Sequence, residues 1–546
     1  TEADFEKEAE NPTELPEDRY SLKRIWGRIT GKNDNPDGFK MTKEEKNWAL
    51  YDAGNSAIYA FFILISVCIG ELAHNVPYFG EHPTQTMSLF NSVSGGIIAI
   101  MGPIMGALAD NKGTKKRLFK LFVGLGLVGG FGGLLPTIAW ATGSDIGYFI
   151  PFTMCMLLVL IGLGGSLMFY DSMLADVTTE LRSDKVSGKG YSYGYSLSLI
   201  PFFVCLGLFY FFMDPEYNIR EYGWSEQNAY FSLRLIIAGS IALCSVWWLV
   251  FTRPLLKTYV QKTGVDPVPH QIKNAFIKLA KTFKEIRKYK AAFYFMLAFF
   301  FFINGVNTIF SLSATYAKET LLLTIPHSTN ALDILVFGEN ATADTMTSMV
   351  NVLLVVVFVI TQLIASAFSG VFANLAKKFG ARNMIFLSIV GFMAVTIYGV
   401  FMATVLDLFF VALGIGLFLG GIQALSRSYF ARLAPQEKQG EFFGLFDVFN
   451  KSSNFLGSAI FTITVSASMG FLGNDGITYG GNHVFAPNQM ALSVVLLFFI
   501  TGFVLLCIVP RTKADLTYSN IVHKKKTKDE RIAIREAKRE ERANKD

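Results

Sequence analysis

Charge is scarce in this chain of 546 residues: Asp, Glu, Lys and Arg make up 17% of it, too little to clothe a soluble protein of this size. Histidine is scarcer still, and all six (His74, His82, His270, His327, His483, His523) fall between or beyond the apolar stretches, which argues against a histidine proton relay inside a membrane. The five cysteines (Cys68, Cys155, Cys205, Cys244, Cys507) all lie within apolar stretches, so they read as small packing residues and not as a disulfide framework. No Cys/His set has metal-site spacing, and no Gly-x-Ser-x-Gly stands in a fitting context. Neither cofactor nor enzymatic activity is expected. Ser187-Gly-Lys-Gly190 lacks both the upstream glycine and the hydroxyl after lysine that a phosphate loop needs, so it reads as a plain loop and a nucleotide-driven pump is set aside.

What is abundant is apolar. Half the residues (51%) are hydrophobic, mean hydropathy is +0.38 and there are 51 phenylalanines, so the chain is read as an integral membrane protein. Crossing the hydrocarbon takes roughly 20 apolar residues. That criterion predicts twelve transmembrane helices near 47–71, 86–109, 117–141, 147–175, 191–213, 230–252, 291–315, 345–373, 383–405, 408–430, 442–470 and 490–510. The connections 111–117, 182–189, 253–290, 377–382 and 432–438 are rich in Lys and Arg, whereas those assigned to the opposite side carry only Arg220 and Lys318. Both termini are therefore expected in the cytoplasm. The net charge of +6 is read as this bias plus the tail, which leaves no case for nucleic-acid binding. The first 46 residues, polar and acidic before turning basic, do not resemble a cleavable signal; the first helix is expected to serve as the insertion signal.

Five segments follow: a cytoplasmic tail 1–46, a six-helix bundle 47–252, a cytoplasmic linker 253–290, a second six-helix bundle 291–510 and a charged cytoplasmic tail 511–546. In the linker Ile272, Phe276, Leu279, Phe283 and Ile286 recur at helical spacing among lysines, the pattern of an amphipathic helix lying on the inner membrane face. Gly102 and Gly106, the Gly162–Gly165 run, and Gly414, Gly416, Gly420 and Gly421 are expected to let helices approach closely.

A repeat joins the halves. Gly106-Ala-Leu-Ala-Asp-Asn-Lys-Gly-Thr-Lys-Lys-Arg117 returns in degenerate form as Gly370-Val-Phe-Ala-Asn-Leu-Ala-Lys-Lys-Phe-Gly-Ala-Arg382. Each copy has a small-residue helix end, a polar residue (Asp110, then Asn374), a turn glycine and several cations. The pattern resembles the signature loop between the second and third helices of major facilitator transporters. The resemblance implies an all-α fold of two pseudo-symmetric six-helix bundles working by alternating access. It also implies that Asp110 sits against the start of the eleventh helix, where the helix dipole favours a carboxylate. In the second copy Asn374 removes that charge.

Ionisable and polar groups inside the apolar helices are the functional candidates, because they are costly there unless they pair or line a pathway. On the first helix Trp48, Asp52, Asn55, Ser56 and Tyr59 share one face. The fourth ends with Tyr170, Asp171 and Asp176, and the fifth begins Tyr191-Ser-Tyr-Gly-Tyr-Ser196. The seventh carries Asn304, Asn307, Thr308 and Ser311, with Gly305 as a candidate flexion point. Gln423, Ser426 and Arg427 lie on the tenth, and Asp447, Asn450, Lys451 and Asn454 on the eleventh. Asn55, Tyr59, Asn304, Asn307 and Gln423 are taken as substrate contacts, and Asp52 as the proton-coupling candidate. Asp110, Asp171, Arg427, Asp447 and Lys451 are taken as gate residues; the plainer reading of Asp52 is that it too serves the gate.

Trp48-Ala-Leu-Tyr-Asp-Ala-Gly-Asn-Ser56, Gly420-Gly-Ile-Gln-Ala-Leu-Ser-Arg-Ser-Tyr-Phe-Ala-Arg-Leu-Ala-Pro435 and Glu441-Phe-Phe-Gly-Leu-Phe-Asp447 resemble one branch of that superfamily, the vacuolar effluxers linked to autophagy and their bacterial relatives. This resemblance spans about 47–510 and implies export of amino acids; a small molecule, protons and membrane lipids are the expected partners, and a monomer the expected state. A bacterial inner membrane is preferred over a vacuolar one. Two alternatives stay open: a carrier of lipid-like substrates, suggested by Phe299–Phe302, and a non-transporting receptor or scaffold using its tails.

Overall fold

The computed structural model describes residues 40–262 and 286–512, apart from short stretches between helices and some side chains within them. Residues 263–285, which hold most of the expected linker helix, and the greater part of both tails lie outside the described residues. Sixteen α-helices are described. In the first half they are α1 (Lys43–Leu72), α2 (Pro83–Ala109), α3 (Thr114–Gly132), α4 (Leu134–Ala139), α5 (Asp145–Val177), α6 (Ser183–Leu197), α7 (Leu199–Phe212), α8 (Pro215–Tyr222) and α9 (Glu226–Thr258). In the second half they are α10 (Lys290–Thr324), α11 (Ala331–Phe337), α12 (Ala343–Phe379), α13 (Ala381–Val400), α14 (Val405–Leu433), α15 (Gln439–Leu472) and α16 (Pro487–Ile508). The exception to the all-α expectation is a hairpin of two short strands, β1 (Ile477–Tyr479) and β2 (His483–Phe485).

Helix is the form these sequences must take in lipid, because only it satisfies every backbone N–H and C=O within the segment. Among the described residues nine helical stretches are long and apolar enough to cross a membrane. The three other predicted crossings coincide with the long helices α1, α2 and α15. At most 61% of any of these nine stretches is buried within the protein, so each keeps an apolar face for lipid; Leu121, Val128, Leu135 and Ile138 show it on α3 and α4. Local signals set the ends. Gly113 (φ 74°) and Gly380 (φ 86°), the turn glycines of the repeat, take the positive φ that favours glycine just before α3 and α13. Thr404 and Asp407 form a capping box on α14.

The first-half helices pack together, α9 on α1 and α3 on α5, and the second half repeats this with α10 on α16 and α13 on α14. The halves meet where α2 crosses α15 and where α6 crosses α12 and α14. These meetings concentrate at the end bearing the Lys- and Arg-rich connections, the basic end.

Two expectations are corrected. Residues 182–189 are not a loop: α6 begins at Ser183 and carries Ser187-Gly-Lys-Gly190 within it. Glycine weakens a helix in water, but here it allows a close crossing, with Gly188 against Ala373 and Ser369 of α12. Gly305 is no flexion point; α10 runs unbroken through it and the Phe499 ring of α16 fills the space a Cβ would take. Two predicted helices are also divided, at Gly133 between α3 and α4 and at Ser198 between α6 and α7.

Candidate functional site

Arg427 of α14 reaches across the midline into the first half. Its side chain is 3% exposed and is held by the partners a planar guanidinium requires. Nη2 donates to Asp52 Oδ2 of α1 (3.2 Å) and to the Ser187 carbonyl (3.2 Å), Nη1 to Asp171 Oδ1 of α5 (3.1 Å), and Nε to Ser187 Oγ of α6 (3.0 Å). Ser187 Oγ in turn donates to the Ala424 carbonyl of α14. Three aromatic rings enclose the guanidinium carbon at 4.3 Å (Tyr191), 4.7 Å (Trp48) and 5.3 Å (Tyr170) from their centroids. The cage is itself fixed: Trp48 stacks on Tyr170 and donates to the Tyr170 carbonyl, while the Tyr170 hydroxyl donates to Asp52 Oδ2 at 2.8 Å. Gly190 permits the approach, since a Cβ there would stand 2.5 Å from Asp52 Oδ2. Removing one partner of such a buried pair costs about 3–5 kcal/mol, because the other charge is left stranded.

Asn55 is buried one turn along α1 and donates to Asp52 Oδ1 at 3.4 Å; Tyr59, a further turn on, is 40% exposed. Gln423 accepts from the Tyr195 hydroxyl of α6 at 2.5 Å, a second polar link between halves. Asn307 donates to Asn450 of α15 at 3.4 Å. Asn304 is fully buried and bonds to the Phe300 carbonyl of its own helix, at a crossing where Gly457 of α15 packs against it. Asp447 is buried within electrostatic reach of Asp171. The Lys451 side chain lies outside the described residues.

A second constellation lies at the α2–α15 crossing. Gly106 and Gly440 pack backbone on backbone, and Asp110, in the turn after α2, accepts from the amides of Gly440 (2.6 Å) and Glu441 (3.0 Å) at the start of α15. Burial pushes the Asp110 carboxyl up to about 7, against the pull of Lys115 and of those two amides. At the corresponding seam between α6 and α12 serine hydroxyls join the helices: Ser369 donates to the Gly188 carbonyl and Ser366 to the Ser192 carbonyl, both at 2.8 Å.

Sequence reasoning did not single out Lys115, Gln261 or the pair Asp184–Arg432. Lys115 is buried against Asp176 (2.9 Å), which also accepts from the Tyr259 hydroxyl. Gln261 stitches the segment after α9 to the α2–α3 turn through the carbonyls of Ala109 and Asn111. Asp184 of α6 pairs with Arg432 of α14 at 2.9 Å, a further ionic tie between halves. Nothing in residue spacing marks such partners; for Lys115 and for Asp184–Arg432 charge inside or beside apolar segments was the one available signal, and for Gln261 there was none.

Two groups of long apolar helices joined at one end by buried polar ties fit a membrane carrier, and solved structures share the fold. The proton:xylose symporter XylE bound to 6-bromo-6-deoxy-D-glucose matches with a TM-score of 0.56 at 14% identity, over 92% of this chain and 99% of that one. The major facilitator superfamily transporter FucP in the outward conformation matches with a TM-score of 0.58 at 14% identity, over 86% and 100%. At that identity the likeness is one of fold. Among sequences, the uncharacterized MFS-type transporter YxiO of Bacillus subtilis (strain 168) is 30% identical over 490 residues, 88% of this chain and 97% of the relative. Autophagy-related protein 22 of Saccharomyces cerevisiae (strain ATCC 204508 / S288c) is 22% identical over 507 residues, 79% and 88%. The protein is a multi-pass transporter of the major facilitator type. Residues 175–516 match the family described as "Vacuole effluxer Atg22 like", and the chain belongs to that family.

Proposed function

We propose that the protein exports a small polar organic solute, an amino acid, through twelve crossings by rocking of its two halves, with protons as the coupling ion. The observation that carries this reading is Arg427, a second-half cation held by first-half Asp52 and Asp171. Such a tie is stable when the basic end is closed and must break for that end to open, which is what an alternating gate requires. In this reading the basic end and both termini are cytoplasmic, Asp110 and Asp447 belong to the gate with Lys451, and the protein works as a monomer in a cell membrane. Asn55, Tyr59, Asn304, Asn307 and Gln423 contact the solute, and Asp52 exchanges the proton when released by Arg427.

The test is counterflow and uptake of a labelled amino-acid panel in proteoliposomes, with and without an inward-directed pH gradient, comparing native protein with Asp52→Asn. Saturable counterflow accelerated by the gradient only in the native protein is the expected result. Silence across the panel in folded protein overturns the amino-acid assignment, and equal gradient acceleration in Asp52→Asn overturns the role of Asp52.

A further inference from the structure

The partners of Arg427 all come from one half and the guanidinium from the other. Trp48 and Asp52 lie on α1, Tyr170 and Asp171 on α5, Ser187 and Tyr191 on α6. When the halves part, the cage keeps its rings, its hydroxyl and both carboxylates but loses its cation. Two carboxylates in an apolar setting are costly without a positive partner. A proton would satisfy one carboxylate and leave three ring faces with nothing cationic to meet; an ammonium or guanidinium group engages both kinds of partner. The rim is not sealed even with Arg427 in place, since the Asp171 side chain keeps 19% of its exposure.

We propose that this cage is the binding site for the cationic head of the transported solute, and that Arg427 is its internal surrogate, occupying the site when the basic end is closed. The proposal rests on the transport reading above and narrows its substrate class to solutes with an ammonium or guanidinium group at the end of a side chain or tail, away from any carboxylate, so that the α-ammonium common to all amino acids does not qualify. A solute head entering the cage competes with Arg427 and so releases the tie between the halves. In the parted state Arg427 is left to receive the carboxylate of a zwitterion.

The experiment uses the purified full-length protein with agmatine and arginine as probes, and citrulline as the neutral urea counterpart of arginine. With Arg427→Ala the cage is vacant, and agmatine and arginine are expected to bind at least about tenfold more tightly than citrulline by calorimetry. The preference is expected to disappear in D52N/D171N/R427A. Equal binding of citrulline, no binding of either cation, or an undiminished preference in the triple variant overturns the proposal.

If Arg427→Ala does not fold, the native gate provides the readout. Ser369 is fully buried at the α6–α12 seam, so a cysteine there, with the five native cysteines replaced, is labelled only when the basic end opens. Agmatine is expected to accelerate that labelling and citrulline to leave it unchanged; equal effects overturn the proposal. The counterflow panel keeps the two readings apart. Counterflow of uncharged solutes without cage binding removes this proposal alone, and cage binding without any counterflow removes the transport reading alone.

Discussion

Gly106→Ala isolates the contribution of the α2–α15 crossing to closure. A Cβ at 106 would stand 2.3 Å from the Gly440 carbonyl oxygen and 3.4 Å from the Gly444 Cα. Both are backbone atoms, so relief requires the start of α15 to retreat by about 1 Å to regain ordinary contact. Asp110 then loses its hold, because bonds of 2.6 and 3.0 Å stretched by that much exceed the useful N–H···O range. Two hydrogen bonds to the Asp110 carboxyl at about 1.5 kcal/mol each come to about 3 kcal/mol. At roughly 1.4 kcal/mol per tenfold, the closed state loses about a hundredfold in population relative to the open one. Gly102→Ala is the matched control, since its Cβ would meet the Gly444 carbonyl at 3.4 Å, already an ordinary contact. Labelling of the Ser369→Cys reporter follows the open fraction when opening is fast compared with alkylation. Gly106→Ala is expected to raise the labelling rate by about two orders of magnitude and Gly102→Ala by no more than about twofold. A Gly106→Ala protein that labels at the rate of its control, while remaining folded, refutes the reasoning.

Two other outcomes follow from the same contacts. Arg427→Ala strands Asp52 and Asp171 and is expected to destabilise the closed protein by about 3–5 kcal/mol, whereas D52N/D171N/R427A regains most of that loss; identical thermal midpoints for the two would contradict a charge origin. The Asp110 carboxyl is raised from 3.8 to about 7 in the closed seam, so its contribution is full below the ordinary value and is lost as pH rises through about 7. Reporter labelling, normalised to denatured protein, is therefore expected to rise with pH up to about 7, to level off above it, and to be flatter in Asp110→Asn; a rise of equal size in both rules Asp110 out as the titrating group.

Helix positions were legible because a membrane helix is apolar on all sides, and length alone separates it from a soluble one. The grouping of Asp52, Asp171 and Arg427 was legible too, since each is an ionisable residue within an apolar stretch. Their pairing was not, because it depends on the distance between helices far apart in sequence. Ser187-Gly-Lys-Gly190 misled for a related reason: glycine breaks helices in water, but on α6 the missing side chains are what let Asp52 and α12 come close. The seventh-helix stripe shows a further limit. Helical spacing places Asn304 and Asn307 near one another on the surface of α10, yet Asn304 is fully buried while Asn307 meets Asn450. Periodicity defines a face and leaves its neighbour unspecified. Lys115 and Gln261 are partners by tertiary contact alone.

The repeat is unequal in a way that bears on the shape of the opening. The α2–α15 edge is bolted by a carboxylate on two amides, while its counterpart, where Asn374 replaces the acid, rests on serine hydroxyls that water can replace one for one. Two edges held by such different contacts need not part like a pair of matched jaws. The α6 side is tied instead through α14, by Asp184–Arg432 and Ser187–Arg427, so on the proposed cage a solute that displaces Arg427 loosens this edge while Asp110 still holds the other.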